Sequence, residues 1–157
     1  MAPHLLGVIS DTHGLLRPEA VKALKGVELI IHAGDIGDPR ILSKLERLAP
    51  VHAVRGNTDR GDFGRTLPAT RVVEVGGVQL YVLHNLHALD LDPGAAGFAA
   101  VLYGHSHAPH LEWRAGVLYL NPGSAGPKRF TLPVSLARLR IQAGTLQPEL
   151  LDLSRGG

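Results

Sequence analysis

The first third of the sequence alternates short aliphatic runs with helix-forming stretches, and this alternation restricts the folds open to the chain. Residues 4–10, 27–33 and 51–56 are predicted strands. Residues 18–25 and 40–48, between them, are predicted helices, each with a proline near its start. The order strand, helix, strand, helix, strand implies parallel strands joined by right-handed crossovers. We therefore expect an α/β arrangement in this part of the chain.

The remainder of the sequence favours antiparallel β-structure. Strands are predicted in five segments, at residues 69–85 (a hairpin around Gly76-Gly77), 97–106, 110–124 (a hairpin near Ala115-Gly116), 134–141 and 145–153. Residues 60–68, 86–96 and 124–130 are interpreted as short loops. Since the 157 residues contain no repeat and no linker, we expect a single domain over residues 1–157.

The composition excludes several classes of protein. A hydrophobic fraction of 45% with 19% charged residues is typical of a compact globular chain. The sequence has no cysteine, which excludes disulfides, thiol nucleophiles and thiolate metal sites. It has neither a long apolar run nor a signal peptide, so we expect a cytoplasmic protein without a membrane partner. A net charge of +2 without basic runs argues against nucleic acid as a partner.

Polar side chains follow most of the predicted strands, at the points where these strands end. They are Asp11 and His13, Asp35, Asn57 and Asp59, His84, His105 and His107, and Asn121. Layered α/β proteins bind ligands beyond the carboxyl ends of their strands, so we expect these side chains to meet at one edge. In an extended chain, residues two apart point to the same side, which would pair Asp11 with His13 and His105 with His107.

The chemistry of these residues indicates a metal site. A mixture of imidazole, carboxylate and carboxamide suits Mn, Fe or Zn better than Mg or Ca. The seven candidate ligands are Asp11, His13, Asp35, Asn57, His84, His105 and His107. Seven ligands exceed the need of one tetrahedral ion, so we predict two divalent transition-metal ions, with Mn favoured over Fe, Zn or Ni. Asp59 and Asn121 are expected to orient these ligands.

The other histidines have a different interpretation. His4, His52 and His110 are expected to be surface or strand residues. His32 lies inside a predicted strand and is interpreted as a core residue or a support for a ligand. The role of His87 is left open.

The ordered motifs resemble those of a known family. The motifs D-x-H (11–13), G-D (34–35), G-N-x-D (56–59), the strand-terminal His84 and G-H-x-H (104–107) resemble the calcineurin-like metallophosphoesterase superfamily. The short length and N-P-G-S (121–124) resemble its compact, stand-alone prokaryotic phosphodiesterases. The resemblance covers residues 6–124. It implies a four-layer α/β sandwich, in which two mixed β-sheets flanked by helices hold a dinuclear site at one edge.

The resemblance also implies ligand roles and an activity. One ion would be held by Asp11, His13, Asp35 and His107, and the other by Asp35, Asn57, His84 and His105, with Asp35 bridging. The implied reaction is hydrolysis of a small phosphoester, specifically a phosphodiester, by a water activated between the two ions. Asp35, Asn57 and Asp59 are the residues assigned to catalysis.

Two departures from the family pattern bear on this reaction. Thr58 follows Asn57, where many catalytic relatives have a histidine that can protonate the leaving group. A hydroxyl is a poor proton donor, so aryl diesters are expected to react faster than alkyl diesters. In addition, His84 is followed by Asn85, whereas relatives commonly have glycine and then histidine.

Two other function classes remain open. The first is a metal-binding interaction scaffold of the same fold without catalysis, as in the retromer subunits related to this family. Substitution of ligand residues by residues that cannot bind a metal would favour the scaffold, yet every ligand position holds a residue able to bind one. The second is a nucleic-acid-binding module, which scattered arginines and few aromatic residues disfavour. The sequence does not predict the oligomeric state.

Overall fold

A computed structural model describes residues 2–154 of the protein. Within this range, ten strands, three α-helices and one 3₁₀ helix follow each other along the chain. They are β1 (His4–Ile9), α1 (Pro18–Ala23), β2 (Leu29–His32), α2 (Pro39–Glu46), β3 (Val51–Ala53), α3 (Gly61–Arg65), β4 (Thr70–Val75), β5 (Val78–Leu83), the 3₁₀ helix (Leu86–Ala88), β6 (Phe98–Leu102), β7 (His110–Arg114), β8 (Val117–Asn121), β9 (Ser135–Gln142) and β10 (Thr145–Asp152).

The strands form two mixed sheets. Sheet I has the order β10-β9-β1-β2-β3. Strands β1, β2 and β3 are parallel to one another, and β9 is antiparallel to both of its neighbours, β1 and β10. Sheet II has the order β4-β5-β6-β8-β7, with three parallel strands between two antiparallel edge strands. The predicted pair of mixed sheets is confirmed. The prediction of antiparallel β-structure for the remainder of the chain is wrong for the centre of sheet II, where β5, β6 and β8 pair in parallel.

The two sheets pack face to face through an aliphatic core. Alternate residues of each strand face the other sheet, as the period of two requires. Fully buried examples are Leu6, Val8 and Ile31 of sheet I and Leu80, Val82, Leu102, Leu118 and Leu120 of sheet II. This layer fixes the strand ends of both sheets relative to each other.

The outer faces are covered differently. Helices α1 and α2 lie on sheet I, where Leu24 and Leu45 pack in one buried cluster with Ile30. On sheet II the covering segment is residues 86–98, whose leucines pack against three tyrosines, and its helical part is the short 3₁₀ helix. The sandwich therefore has fewer helices than the family resemblance implies.

Two helical segments lie where the sequence predicted loops. Helix α3 has five residues and the 3₁₀ helix has three. Helices this short contain no repeat of apolar positions from which periodicity could be recognised. No helix within residues 2–154 combines the length and the apolar character needed to cross a bilayer.

The strand directions give the molecule two distinct ends. Strands β1, β2, β5 and β6 all finish at one end, which we term the ligand edge. The three hairpin turns, at residues 76–77, 115–116 and 143–144, lie at the opposite end, which we term the hairpin edge.

Candidate metal centre

A first group of side chains at the ligand edge gathers around one carboxylate oxygen. Asp11 Oδ1 lies 3.6 Å from His13 Nε2 and 3.5 Å from His107 Nε2. The two Nε2 atoms are 3.3 Å apart, and their rings are stacked. These three residues come from the loops after β1 and β6, so they meet only because β1 and β6 end at the same edge.

A second group lies beside the first. Asp35 Oδ2 lies 3.2 Å from His84 Nε2, and Asn57 Oδ1 lies 3.0 Å from the same nitrogen. His105 Nδ1 is 3.2 Å from Asn57 Oδ1. The loops after β2, β3, β5 and β6 each contribute one of these residues.

The two carboxylates connect the groups. Asp35 Oδ2 is also 3.7 Å from His13 Nε2, and Asp11 Oδ1 is 4.0 Å from His84 Nε2. All seven residues predicted as ligands are therefore brought together. Both Asp11 and Asp35 therefore lie close to both groups. The family resemblance implied a bridging position for Asp35 alone.

The separations within the groups fit divalent metal ions. Four ligands bonded to one ion at about 2.1 Å lie roughly 3.4 Å apart in a tetrahedral arrangement. The separations of 3.3, 3.5 and 3.6 Å in the first group match this size, as do those of 3.0, 3.2 and 3.2 Å in the second. The donor set therefore fits two ions of the size of Mn²⁺ or Zn²⁺.

Unsatisfied acceptors point to the same conclusion. Asp11 Oδ1 is buried and has no hydrogen-bond partner within residues 2–154. His84 Nδ1 donates to the carbonyl of Ala33 at 2.8 Å. In the neutral ring Nε2 of His84 is then a bare acceptor that faces another acceptor, Asn57 Oδ1. Buried acceptors without donors are costly, and a cation between them removes that cost.

Each carboxylate keeps one oxygen for the centre because its other oxygen is already hydrogen-bonded. Asp11 Oδ2 accepts from the Ser10 hydroxyl at 2.7 Å and from the His105 main-chain N–H at 3.1 Å. Asp35 Oδ1 accepts from the Thr58 N–H at 2.9 Å. The roles of Ser10 and Thr58 were not predicted from the sequence; for Ser10, a hydroxyl residue directly before a ligand motif is a usable signal.

These contacts keep both carboxylates ionised. Burial raises the pKa of Asp35, but contacts with His84 and Thr58 outweigh burial and hold that pKa well below its usual range. Burial lowers the pKa of His84, but Asp35 and Asp11 raise it overall, so a proton on Nε2 stands in for a cation when none is bound. Burial also raises the pKa of Asp11, and contacts with His13 and Ser10 lower it overall. At neutral pH the centre therefore presents two negative charges to a cation.

Five of the seven residues have left-handed backbone conformations. Their φ angles are 55° at Asp11, 46° at His13, 58° at Asp35, 76° at His105 and 66° at His107. The expected pairing of residues two apart was derived from an extended chain, and this derivation is wrong. Asp11 and His13 share the first group, whereas His105 and His107 separate into the two groups. All four turn into the left-handed region, at a cost of about 1–2 kcal/mol per residue.

Two glycines allow the ligand loops to approach each other. A Cβ atom on Gly56 would lie within 3 Å of the main chain and carboxylate of Asp35. A Cβ atom on Gly104 would collide with the side chains of Ser10 and Asp11. Any larger residue at either position would push a carboxylate out of place.

Asp59 has a different role from the predicted one. Its Oδ2 accepts from the N–H groups of Gly56 and Asp35, both at 2.9 Å, and its Oδ1 accepts from Ile36 at 3.0 Å and Gly37 at 3.1 Å. The prediction that Asp59 orients an imidazole is corrected, because its carboxylate contacts the backbone that carries Asp35 instead.

Asn121 supports the other ligand loop. Its Nδ2 donates to the Gly104 carbonyl at 3.1 Å and to Ser106 Oγ at 3.0 Å. The amide thus holds the residues on both sides of His105, through the Gly104 backbone and the Ser106 side chain, as a support for a ligand would.

The remaining histidines lie apart from these two groups. His4 contacts Glu28 at the surface, and His110 lies 3.5 Å from Glu112. His52 is half-buried in β3, and His87 is exposed in the middle of the 3₁₀ helix. His32 is completely buried behind the ligand loops.

Known proteins resemble this chain in sequence. Residues 5–144 match the calcineurin-like phosphoesterase superfamily domain. A probable metallophosphoesterase of Methanothermobacter thermautotrophicus is 40% identical over 162 residues, which span 94% of this chain and 91% of that protein. A phosphodiesterase of Methanocaldococcus jannaschii is 28% identical over 137 residues, which span 75% of this chain and 82% of that protein.

The fold also resembles a solved structure. The crystal structure of Vps29 from Chaetomium thermophilum superposes with a TM-score of 0.77 and 19% identity, covering 94% of this chain and 96% of that one. At this identity the likeness concerns the fold alone.

Proposed function

The chain belongs to the calcineurin-like phosphoesterase superfamily, and from this premise we propose that it hydrolyses phosphodiesters at a centre of two divalent transition-metal ions. The observation that carries the proposal is the meeting of seven competent ligands in two adjoining groups connected by two carboxylates. The similarity to a relative named as a phosphodiesterase supports the diester as substrate.

The proposal assigns the ligands as the family pattern suggests. Asp11, His13 and His107 belong to one ion, and Asn57, His84 and His105 to the other, with Asp35 shared. The 3.7 Å and 3.2 Å separations of Asp35 Oδ2 from the nitrogens of His13 and His84 support the sharing. Manganese is favoured because the donors combine hard oxygens with borderline imidazoles. A cytoplasmic location remains an expectation from the sequence.

The chain's own residues prepare this centre for a phosphodiester. When bound, two such ions lower the pKa of a water and hold the oxygens of a phosphoryl group for in-line attack. Ser10 and Thr58 fix the carboxylates, so one oxygen of each stays directed at the centre. The hydrogen bond from His84 Nδ1 to Ala33 selects the tautomer in which Nε2 is free to act as a ligand.

Thr58 is committed to Asp35 and does not serve as a proton donor to the leaving group. Its N–H donates to Asp35 Oδ1 at 2.9 Å, and its hydroxyl also bonds to this carboxyl group and lowers its pKa. Without an imidazole at this position, a diester whose leaving group departs unprotonated is the best probe. Bis(4-nitrophenyl) phosphate meets that requirement.

The test combines activity with metal content. Protein supplied with Mn²⁺ is expected to hydrolyse bis(4-nitrophenyl) phosphate, to lose the activity in a chelator and to regain it when Mn²⁺ is restored. Elemental analysis is expected to give close to two ions per chain, and one ion fewer in each of His107→Ala and Asn57→Ala. Full occupancy in both variants would contradict the ligand assignment.

A second candidate function is a metal-binding scaffold for a protein partner. It is the alternative that the sequence leaves open, and it is compatible with the fold shared with Vps29. Tight binding of Mn²⁺ with no hydrolysis of aryl or alkyl diesters would support the scaffold over the enzyme.

A further inference from the structure

His32 is a titratable side chain that the proposed reaction does not use, although it is completely buried behind the ligand loops. Its Nδ1 accepts a hydrogen bond from the Gly34 N–H at 3.1 Å. Nδ1 is therefore unprotonated, so the ring proton of the neutral form is on Nε2. Nε2 lies 3.0 Å from Thr12 Oγ1 and donates to it, and the Thr12 hydroxyl donates to the Ile36 carbonyl at 2.9 Å.

The neutral form is the one the surroundings favour. Burial lowers the pKa of His32 to about 4, against the opposing influence of Asp11 and Asp59. At neutral pH the ring carries one proton, so each of its nitrogens has a single defined role in this chain of hydrogen bonds.

The partners of His32 lie beside the metal-ligand candidates along the chain. Thr12 stands between Asp11 and His13, and Gly34 and Ile36 flank Asp35. These three candidate ligands all have left-handed φ angles. Strained conformations of this kind persist only where the surroundings fix them from several directions.

Main-chain hydrogen bonds already join the two loops. The N–H of Asp11 donates to the Gly34 carbonyl at 3.0 Å, and the N–H of His13 donates to the Asp35 carbonyl at 2.9 Å. These bonds set the spacing of the loops. The side chains of His32 and Thr12, both fully buried, add a second connection between the same two loops.

We propose that His32 and Thr12 are positioning residues that hold Asp11, His13 and Asp35 in their ligand conformations and thereby raise the affinity of the centre for metal. The inference rests on the proposed function only in requiring a metal centre; it does not depend on the substrate. It predicts that removing the Thr12 hydroxyl weakens metal binding, although Thr12 itself contacts no ion.

The experiment measures Mn²⁺ affinity by isothermal titration calorimetry on chelator-treated protein. Thr12→Val keeps the shape of the side chain and removes both hydrogen bonds. Mn²⁺ binding is expected to weaken about 10–100-fold, the usual effect of losing a residue that orients a ligand. Thr12→Ser is the matched control: it restores the hydroxyl, and its affinity is expected to stay within about threefold of the unmodified protein, or roughly 0.7 kcal/mol.

A double-mutant cycle tests whether the two residues act together. His32→Asn leaves an oxygen able to accept from Gly34 and withdraws the donor to Thr12. The double variant Thr12→Val/His32→Asn is expected to bind Mn²⁺ with the affinity of whichever single variant binds it less tightly. The two losses should not add, because both changes break the same connection. Should His32→Asn not fold, the comparison of Thr12→Val with Thr12→Ser carries the test.

The outcomes separate this inference from the proposed function. Unchanged Mn²⁺ affinity in Thr12→Val, with only a lower melting temperature, would overturn it and leave a purely structural role. Equal weakening in Thr12→Ser and Thr12→Val would also overturn it. Tight Mn²⁺ binding without diester hydrolysis would refute the enzyme and leave the inference standing, whereas an unmodified protein that binds no Mn²⁺ would refute both.

Discussion

The ligand edge and the hairpin edge lie at opposite ends of the same strands, and both depend on left-handed backbone. At the hairpin edge these conformations fall on the glycines of the three turns and on Ala115 and Ala143. At the ligand edge they fall on aspartates and histidines as well as on glycines such as Gly14, Gly34 and Gly37. Of the eight non-glycine residues with positive φ within residues 2–154, five are candidate ligands, two are the hairpin alanines, and the last is Phe130.

The difference shows what each edge requires. A hairpin turn requires only a backbone shape, so the smallest residues provide it with the least strain. Each ligand position requires both the shape and a particular side chain, so glycine cannot be used at those positions. The ligand residues are therefore strained, and hydrogen bonds of four other side chains offset this cost by holding the loops in place. These side chains are Asp59, Asn121, His32 and Thr12.

The strongest contrast between the edges concerns Asp35. Asp35→Asn removes a charge that neighbours both ligand groups, and we expect kcat/KM for bis(4-nitrophenyl) phosphate to fall at least about 10³-fold, comparable with the loss of a major electrostatic contribution. Ala115→Gly, at the hairpin edge, should leave this value unchanged. A loss below tenfold with both metals retained would show that Asp35 does not bridge.

Asp59 tests whether the ligand edge is held by its backbone contacts. In Asp59→Asn an amide N–H₂ would face main-chain donors that the carboxylate now satisfies, so we expect the free energy of unfolding to fall by about 2–3 kcal/mol. Urea denaturation in the presence of a chelator measures this loss without a contribution from metal. Asp62→Asn, a fully exposed carboxylate on the neighbouring helix, is the control and should unfold as the unmodified protein does. Equal stability of both variants would contradict the role assigned to Asp59.

Paired substitutions at one ligand separate strain from chemistry. His105→Gly and His105→Ala lose the same imidazole, but only glycine relieves the left-handed conformation at φ 76°. We expect the glycine variant to be more stable than the alanine variant by about 1 kcal/mol in the metal-free protein, and both to lose one ion.

Asn57 provides a control at which the expected order of stability of the glycine and alanine variants is reversed. It is a candidate ligand that is not among the residues with positive φ. Here the glycine variant should be less stable than the alanine variant, by about 0.5–1 kcal/mol, because glycine loses more freedom on folding. The same order of stability at both positions would show that strain does not distinguish the left-handed ligands.

The smallest expected effect lies at the hairpin edge. Ala115→Gly and Ala143→Gly should each raise the free energy of unfolding by about 0.5 kcal/mol, since a modest strain is relieved and partly offset by the greater freedom of glycine in the unfolded chain. Urea denaturation checks the stability and Mn²⁺ titration checks that the centre is unaffected. A change in Mn²⁺ affinity would show that the two edges are not independent.

The sequence predicted those features that depend on short stretches of chain. The aliphatic runs of β1, β2 and β6 have the length and bounding residues of buried strands, so their positions could be predicted. Five of the seven ligand candidates follow these strands, Asn57 follows β3 and His84 follows β5, and parallel strands end at a common edge. The meeting of seven residues was therefore predictable before any contact was known.

The roles of individual atoms could not be predicted in this way. Which oxygen of Asp11 remains free depends on an N–H 94 residues away, in His105. The carboxylate of Asp59 was expected to meet an imidazole, but it meets backbone N–H groups 22 to 24 residues earlier in the chain. The left-handed conformations of aspartate and histidine oppose their local preferences.

The sequence by itself thus determined the strands, the edge and the set of side chains delivered there, because each follows from hydrophobic pattern and strand direction. Only the tertiary structure decided which atoms of those side chains face the centre, and that His32 connects its two loops from behind. The reason is physical: a local pattern sets where a strand ends, whereas a strained loop conformation is stable only when contacts from distant segments together outweigh its cost.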